Sequence, residues 1–425
     1  MKSFLVLFLG LFSTFALAQS DYVRGMNLTQ LGDFVYDAAP QGRPKTAAQI
    51  AVDQIKALGA NHVILNPQAK MFDPRGNDVV PDIPINQRND ERNRYKRLID
   101  YIHRQGMTVG IRPIFFVVGP NGEFPYIETM PNGTKKTWWH GNIQPRDPDR
   151  WFESFKQFHD QYLLIARLNK VEEYTIGAEL YSMTVGLEDQ WREQPYGFPG
   201  RWLSLLRYAR SKLSKDTRIM YDINFTDDRV SANGELTAMG GEFERWRYRL
   251  VDLAHPQDPE EYEIWQDLVS FWNELDAIGI DMYRSLGSKN ETFSRNYVTL
   301  VDQLQLRSDE YASQVDIALA EIQSVTDKLQ PMIFKEVGFR SIERGFIDPF
   351  SYETGAGYYN EDHQAAAYEA IFKSFWEPRF DWFQGASFWD VSVNPTRNTG
   401  RGDTGFSPIG KKKTVEVLKM IYSFR

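Results

Sequence analysis

Short apolar runs with the look of buried strands alternate along this chain with longer segments whose apolar positions recur at helical spacing. RGMN (24–27) precedes a helical pattern at about 45–58, HVILN (62–66) one at about 89–105, and TVGIRPIFFV (108–117) one at about 149–168. YTIGAE (174–179) is followed by a pattern at about 201–214, RIMYDIN (218–224) by one at about 259–275, and AIGIDMY (277–283) by one through about 291–329. PMIFKE (331–336) leads to a helix at about 361–376 and FQGASFW (383–389) to the last at about 412–423. Such alternation implies parallel strands joined by crossover helices. Eight repeats predict a closed (β/α)8 barrel carrying long loops.

No Pro/Gly/Ser linker or shift of composition divides the chain, so residues 19–425 read as one domain. The long segments without helical pattern, 118–148, 182–200, 225–258 and 390–411, all follow strands. In a barrel they share the C-terminal face, where active sites lie. The charged stretch 226–262 is either a solvated insertion or a wall of the cleft. From its position after a barrel strand, it is expected to shape substrate choice rather than the fold.

The first residues change the picture of where the protein works. MKSFLVLFLGLFSTFALAQS has one basic residue, an apolar core and the small-x-small triplet Ala16-Leu17-Ala18, which reads as a secretory signal over residues 1–18. The chain has no cysteine, hence neither disulfides nor a lipid-bearing cysteine after the signal, and a secreted or periplasmic location is expected. A net charge of −8 argues against nucleic acid and anionic membrane surfaces as partners. The six histidines are scattered without ligand spacing, so no metal is expected.

Strand side chains alternate between faces, and residues two apart share a direction. Counted this way, Glu179, Gly177 and Thr175 face one side, opposed by Ala178, Ile176 and Tyr174; the other strands also end on a polar or aromatic residue of the inner face. Those ends are Asn27, Asn66, Arg112, Glu179, Asn224, Tyr283, Glu336 and Trp389. Two glutamates among amides and aromatic rings at one barrel mouth suit glycoside hydrolysis, which needs a carboxylic acid at the leaving oxygen and a carboxylate on the opposite side of the sugar. No Gly-rich phosphate loop follows a strand and no GxSxG elbow occurs.

Four segments carry a family resemblance: WWHGNIQPRDPDRWFESF (138–155), YTIGAEL (174–180), LDAIGIDMY (275–283) and PMIFKEVGFRS (331–341), with GFSPIGKKKTVEVL (405–418) similar to a closing segment. From about residue 23 onward the chain resembles glycoside hydrolase family 113, β-1,4-mannanase-like (β/α)8 enzymes of clan A, the retaining glycosidases. The resemblance implies Glu179 as acid/base, Glu336 as nucleophile, and a sugar site lined by Trp139, Asn142, Asn224, Tyr283 and Trp389. The chain departs from the family pattern at Ala178, Lys335 and His140 and in its long 226–262 segment. Those departures bear on mannan as the substrate.

The expected protein is therefore a secreted, monomeric retaining glycoside hydrolase acting on an oligo- or polysaccharide without cofactor or metal. Mannan is the first substrate implied; another β-glycan such as a cell-wall glycan, or a sugar-binding barrel without catalysis, is the alternative. Two carboxylates facing one bond cannot both ionise freely, so the shared proton is expected on Glu179, with its pKa raised toward about 6.

Overall fold

A computed structural model describes residues 22–424, apart from 32–33, 187–190, 192, 227–240, 352–356 and 395–399. Residues 1–18, read as a secretory signal, lie outside the described residues. Eight parallel strands close into a barrel in chain order: β1 (Val23–Thr29), β2 (His62–Leu65), β3 (Thr108–Ile111), β4 (Glu173–Ala178), β5 (Arg218–Thr226), β6 (Ala277–Tyr283), β7 (Met332–Val337) and β8 (Phe383–Ser392), which returns to β1. Around them lie α1 (Ala47–Ala57), α2 (Arg88–Arg104), α3 (Pro148–Asn169), α4 (Pro199–Lys212), α5 (Pro259–Glu274), α6 (Tyr297–Thr326), α7 (Glu361–Phe375) and α8 (Lys412–Ser423). The expected (β/α)8 architecture is present. Strands such as β2, β4, β6 and β7 are buried along their whole length, because helices cover one face and the barrel interior the other.

Helix starts follow local chemistry. Asp147 accepts the Arg150 amide ahead of Pro148, and Asp258 accepts the Glu260 and Glu261 amides ahead of Pro259. Each satisfies first-turn donors, while proline occupies the first position, where its missing N–H costs nothing. The outer layer is packed with large rings, Trp202 stacking near Phe271 and Trp376 near Phe388.

Three expectations need correction. The run 108–117 is two strands, not one: it breaks at Pro113, and Ile114–Val117 pairs in parallel with Gln68–Met71 in a separate small sheet above the barrel. Pro67 interrupts the neighbouring β2 at the same level, so two prolines without amide donors turn both strands out of the barrel together. The stretch 225–258 is not free of helix, since Gly241–Arg247 is helical and continues into a wider turn over Tyr248–Asp252. Phe243, Trp246 and Leu250, spaced three and four apart, are fully buried in the main core. This part of the insertion belongs to the fold.

The third correction concerns strand parity. In β4 the pairing with β5 gains a residue between Thr175 and Ala178, a bulge. Gly177 consequently faces outward, where a β-carbon would collide with Trp202 and Tyr221, while Ala178 turns to the cavity.

Candidate active site

A cavity of about 1770 Å³ opens at the C-terminal face of the barrel, bounded by the long loops that follow the strands. Glu179, Asn224, Tyr283, Glu336 and Trp389 all line it, from five different strands or strand ends, as do Trp139 and Asn142 of the loop after Ile114–Val117. All seven residues expected at the site therefore meet in one cleft.

Glu336 is 7% exposed. The Tyr283 hydroxyl donates to its Oε2 across 2.6 Å, and Arg112 donates to its Oε1. Arg112 is also buried, and its remaining donors reach Asp222 at 2.6 Å and Asp281 at 2.5 Å. One guanidinium thus joins three strands beneath the cleft, its five donors in a planar fork suited to such sharing. Burial pushes the Glu336 carboxyl above its ordinary range; Arg112 and the Tyr283 hydrogen bond oppose that, and the charge of Glu179 adds to it. Burial also raises Asp222, and Asp281 far more.

Glu179 closes β4 with a positive φ of 55°, a left-handed conformation that side chains other than glycine seldom adopt and that recurs at functional sites. Its Oε1 accepts the Asn224 side-chain amide at 2.5 Å, and its Oε2 lies 3.0 Å from His140 Nε2. Burial raises Glu179, but His140, Arg112 and Asn224 outweigh it and hold the carboxyl below its ordinary range. This reverses the expected ordering of the two glutamates in the free site. The physical reason is that His140 approaches only one of the two carboxylates, which mutual repulsion alone does not distinguish.

The two tryptophans are half-buried at the cleft. Trp139 packs at 4.9 Å from the His140 ring and 5.6 Å from Tyr181. Asn142 is buried with both ends of its amide engaged, accepting the Trp139 N–H and donating to the Thr137 carbonyl, each at 3.0 Å. It braces the turn that carries Trp139. Asn27 and Asn66 lie beneath the cleft: Asn27 donates to the Lys335 carbonyl at 2.7 Å and accepts from Asn66 at 3.2 Å.

Residues missing from the expected site are Arg112, which was noted only as a strand end, and His140, noted only as a departure. A third is Glu242, on the Gly241–Arg247 helix, which also lines the cavity. Asp222 and Asp281 stand two positions before the strand ends Asn224 and Tyr283, and that parity was the available signal.

A polar barrel mouth with two differently partnered glutamates holds the groups that glycoside hydrolysis needs. Residues 257–411 match the model of Glycoside Hydrolase Family 113. The matched stretch contains Tyr283, Glu336 and Trp389. Among solved structures, a GH113 β-mannanase from Alicyclobacillus acidocaldarius superposes with a TM-score of 0.60 at 18% identity, over 95% of this chain and 98% of that one. A second GH113 β-1,4-mannanase gives 0.59 at 16% identity, over 95% and 100%. A family 5 mannosidase from Rhizomucor miehei gives 0.53 at 10% identity, over 95% and 92%. These likenesses show a shared fold. No curated protein matches the sequence.

Proposed function

We propose that the protein is a secreted, retaining β-glycan hydrolase acting on mannan, with Glu336 as nucleophile and Glu179 as acid/base. The observation that carries this reading is the unequal partnering of two glutamates in one cleft. Glu336 rests between a guanidinium and a phenol, an arrangement that aims a carboxylate and supports its charge. Glu179 has an imidazole and an amide, groups that exchange or orient a proton. The likeness to solved β-mannanases supports mannan as the first substrate. The N-terminal apolar segment supports secretion, and among the described residues no helix is long and apolar enough to cross a membrane.

In this mechanism Glu336 attacks the anomeric carbon while the Glu179–His140 pair supplies the proton that the leaving oxygen takes through Glu179. A glycosyl ester forms on Glu336; Glu179, now a base, activates the water that cleaves it. Two inversions retain the anomer. Tyr283 and Arg112 hold Glu336 in place in both steps, and Asn224 orients Glu179. Trp139 and Trp389 offer flat apolar faces to the C–H faces of pyranose rings, as in other small-molecule clefts built from aromatic walls and few polar groups.

The test is hydrolysis of a panel of polysaccharides by the purified monomer, with the product anomer followed by NMR from the first turnovers. Cleavage of mannan with retention is expected. Inversion contradicts the assignment of Glu336, and strong preference for a cell-wall glycan redirects the substrate.

A further inference from the structure

The small sheet that leaves the barrel after Pro67 and Pro113 has two unlike faces. Exposure alternates strictly along Gln68–Met71 and Ile114–Val117, with Ala69, Met71, Phe115 and Val117 buried in the main core. Gln68, Lys70, Ile114 and Phe116 share the other face, and all four line the cleft. The parallel pairing sets Gln68 beside Ile114 and Lys70 beside Phe116, so a polar row runs along an apolar one. Lys70 is paired with Asp82 at 3.1 Å, and its charge is met within the protein.

Phe124, in the loop that follows, extends the apolar row. Its ring meets that of Phe116 edge to face at 5.6 Å and remains 58% exposed in the wall of the cavity. A single exposed phenylalanine on an outer surface is ordinary; one on the wall of a substrate cleft, propped by a second ring, is a preformed apolar face. This face is tied to the reacting groups but lies beyond them. Arg112, which donates to Glu336, directly follows β3, and Phe116 is four residues on, up to about 13 Å farther at strand rise. Phe115, on the opposite face of the same strand, packs at 6.0 Å from the ring of His140, the partner of Glu179. The cavity, at about 1770 Å³, is also larger than the roughly 300–1,000 Å³ that a small ligand fills.

We propose that Phe116, Phe124 and Gln68 form an outer subsite that holds a sugar ring of the glycan at a distance from the bond being cut. The C–H face of the pyranose lies on the Phe116–Phe124 pair, and the Gln68 amide, both donor and acceptor, meets its hydroxyls. The subsite deepens the glycan-hydrolase reading and rests on it, whichever glycan is cleaved. It gives the protein a preference for chains long enough to reach the small sheet.

The test measures kcat/KM of the full protein and of Phe124→Ala, Phe124→Trp and Phe72→Ala on oligosaccharides of increasing length, cut from the glycan that the polysaccharide panel shows to be hydrolysed. For mannan these are β-1,4-mannooligosaccharides. Phe72 directly follows Met71, is 43% exposed and is not part of the cavity wall, so Phe72→Ala controls for the removal of an exposed ring as such. In wild type kcat/KM should rise with length up to the unit that reaches the small sheet. Phe124→Ala should lose about tenfold on the longer substrates and little on the shortest. Phe124→Trp should keep the rise, and Phe72→Ala should follow wild type. A Phe124→Ala loss of equal size at every length, or no loss at any length, overturns the proposal. The same length dependence on a glycan other than mannan corrects the substrate and supports the subsite.

Discussion

Lys335 and Glu336 are consecutive residues of β7, and both side chains enter the barrel. Strict alternation forbids this. The strand gains a residue against β6, where Ile280 pairs with Phe334 and Asp281 with Glu336, so that Lys335 falls in a bulge while Phe334 turns outward to Phe375 and Phe383. Lys335 reaches down to Glu173 at the floor, with His62 at 3.5 Å from the same carboxylate, while Glu336 turns up to Tyr283 and Arg112. Gly279 leaves the room: a β-carbon there would strike Asp222 and Lys335.

Lys335 therefore belongs to the floor that supports the strand. Lys335→Met should leave the buried Glu173 without its main cation and cost about 3–5 kcal/mol in denaturant unfolding, whereas replacing both partners by apolar residues should cost far less. A single mutant within about 1 kcal/mol of wild type would show that His62 alone satisfies Glu173.

Tyr283→Phe removes a hydrogen bond that lowers the pKa of Glu336. The nucleophile must be ionised, so the acid limb of kcat/KM should move to higher pH, with a fall in kcat of about a hundredfold. A limb that stays in place would mean that Arg112 alone sets the charge state of Glu336.

His140 acts on the opposite limb. It holds Glu179 below its ordinary range, and His140→Gln removes that influence, so the Glu179 pKa should rise. The acid must be protonated, and the alkaline limb should accordingly move to higher pH. Movement in the other direction would contradict the pairing of the proton with Glu179.

Much of this was legible in the sequence, for identifiable reasons. Eight strand and helix alternations survive because parallel strands buried on both faces read as apolar runs, and because caps such as Asp147-Pro148 and Asp258-Pro259 mark helix starts. Glu179 and Glu336 stood out as charges at the ends of such runs. The bulges at Ile176–Gly177 and Lys335 did not, since an extra residue in a strand leaves no period to detect and reverses every side chain beyond it. The helix carrying Glu242 was hidden in a charged segment, where its buried apolar residues Phe243, Trp246 and Leu250 are outnumbered by charges. The expected insensitivity of folding to deletion within 226–262 fails for that reason: removing Phe243, Trp246 and Leu250 should lower the Tm, and the described residues offer no basis for trimming beyond position 240.

Trp389 stands half-buried where a sugar ring would lie against Glu336. Trp389→Ala should lower kcat/KM by about 2 to 4 kcal/mol in transition-state binding, with the fold intact by circular dichroism. Unchanged kinetics would assign Trp389 to packing alone.

The central claim, that Glu336 becomes glycosylated, is tested most directly by trapping the intermediate. A 2-deoxy-2-fluoro glycosyl fluoride slows hydrolysis of the ester more than its formation, so the enzyme should inactivate with one equivalent of sugar attached. Peptide mapping by mass spectrometry should then place that sugar on Glu336. A label on Glu179 or Glu242, or turnover with inversion and no covalent species, would contradict the account.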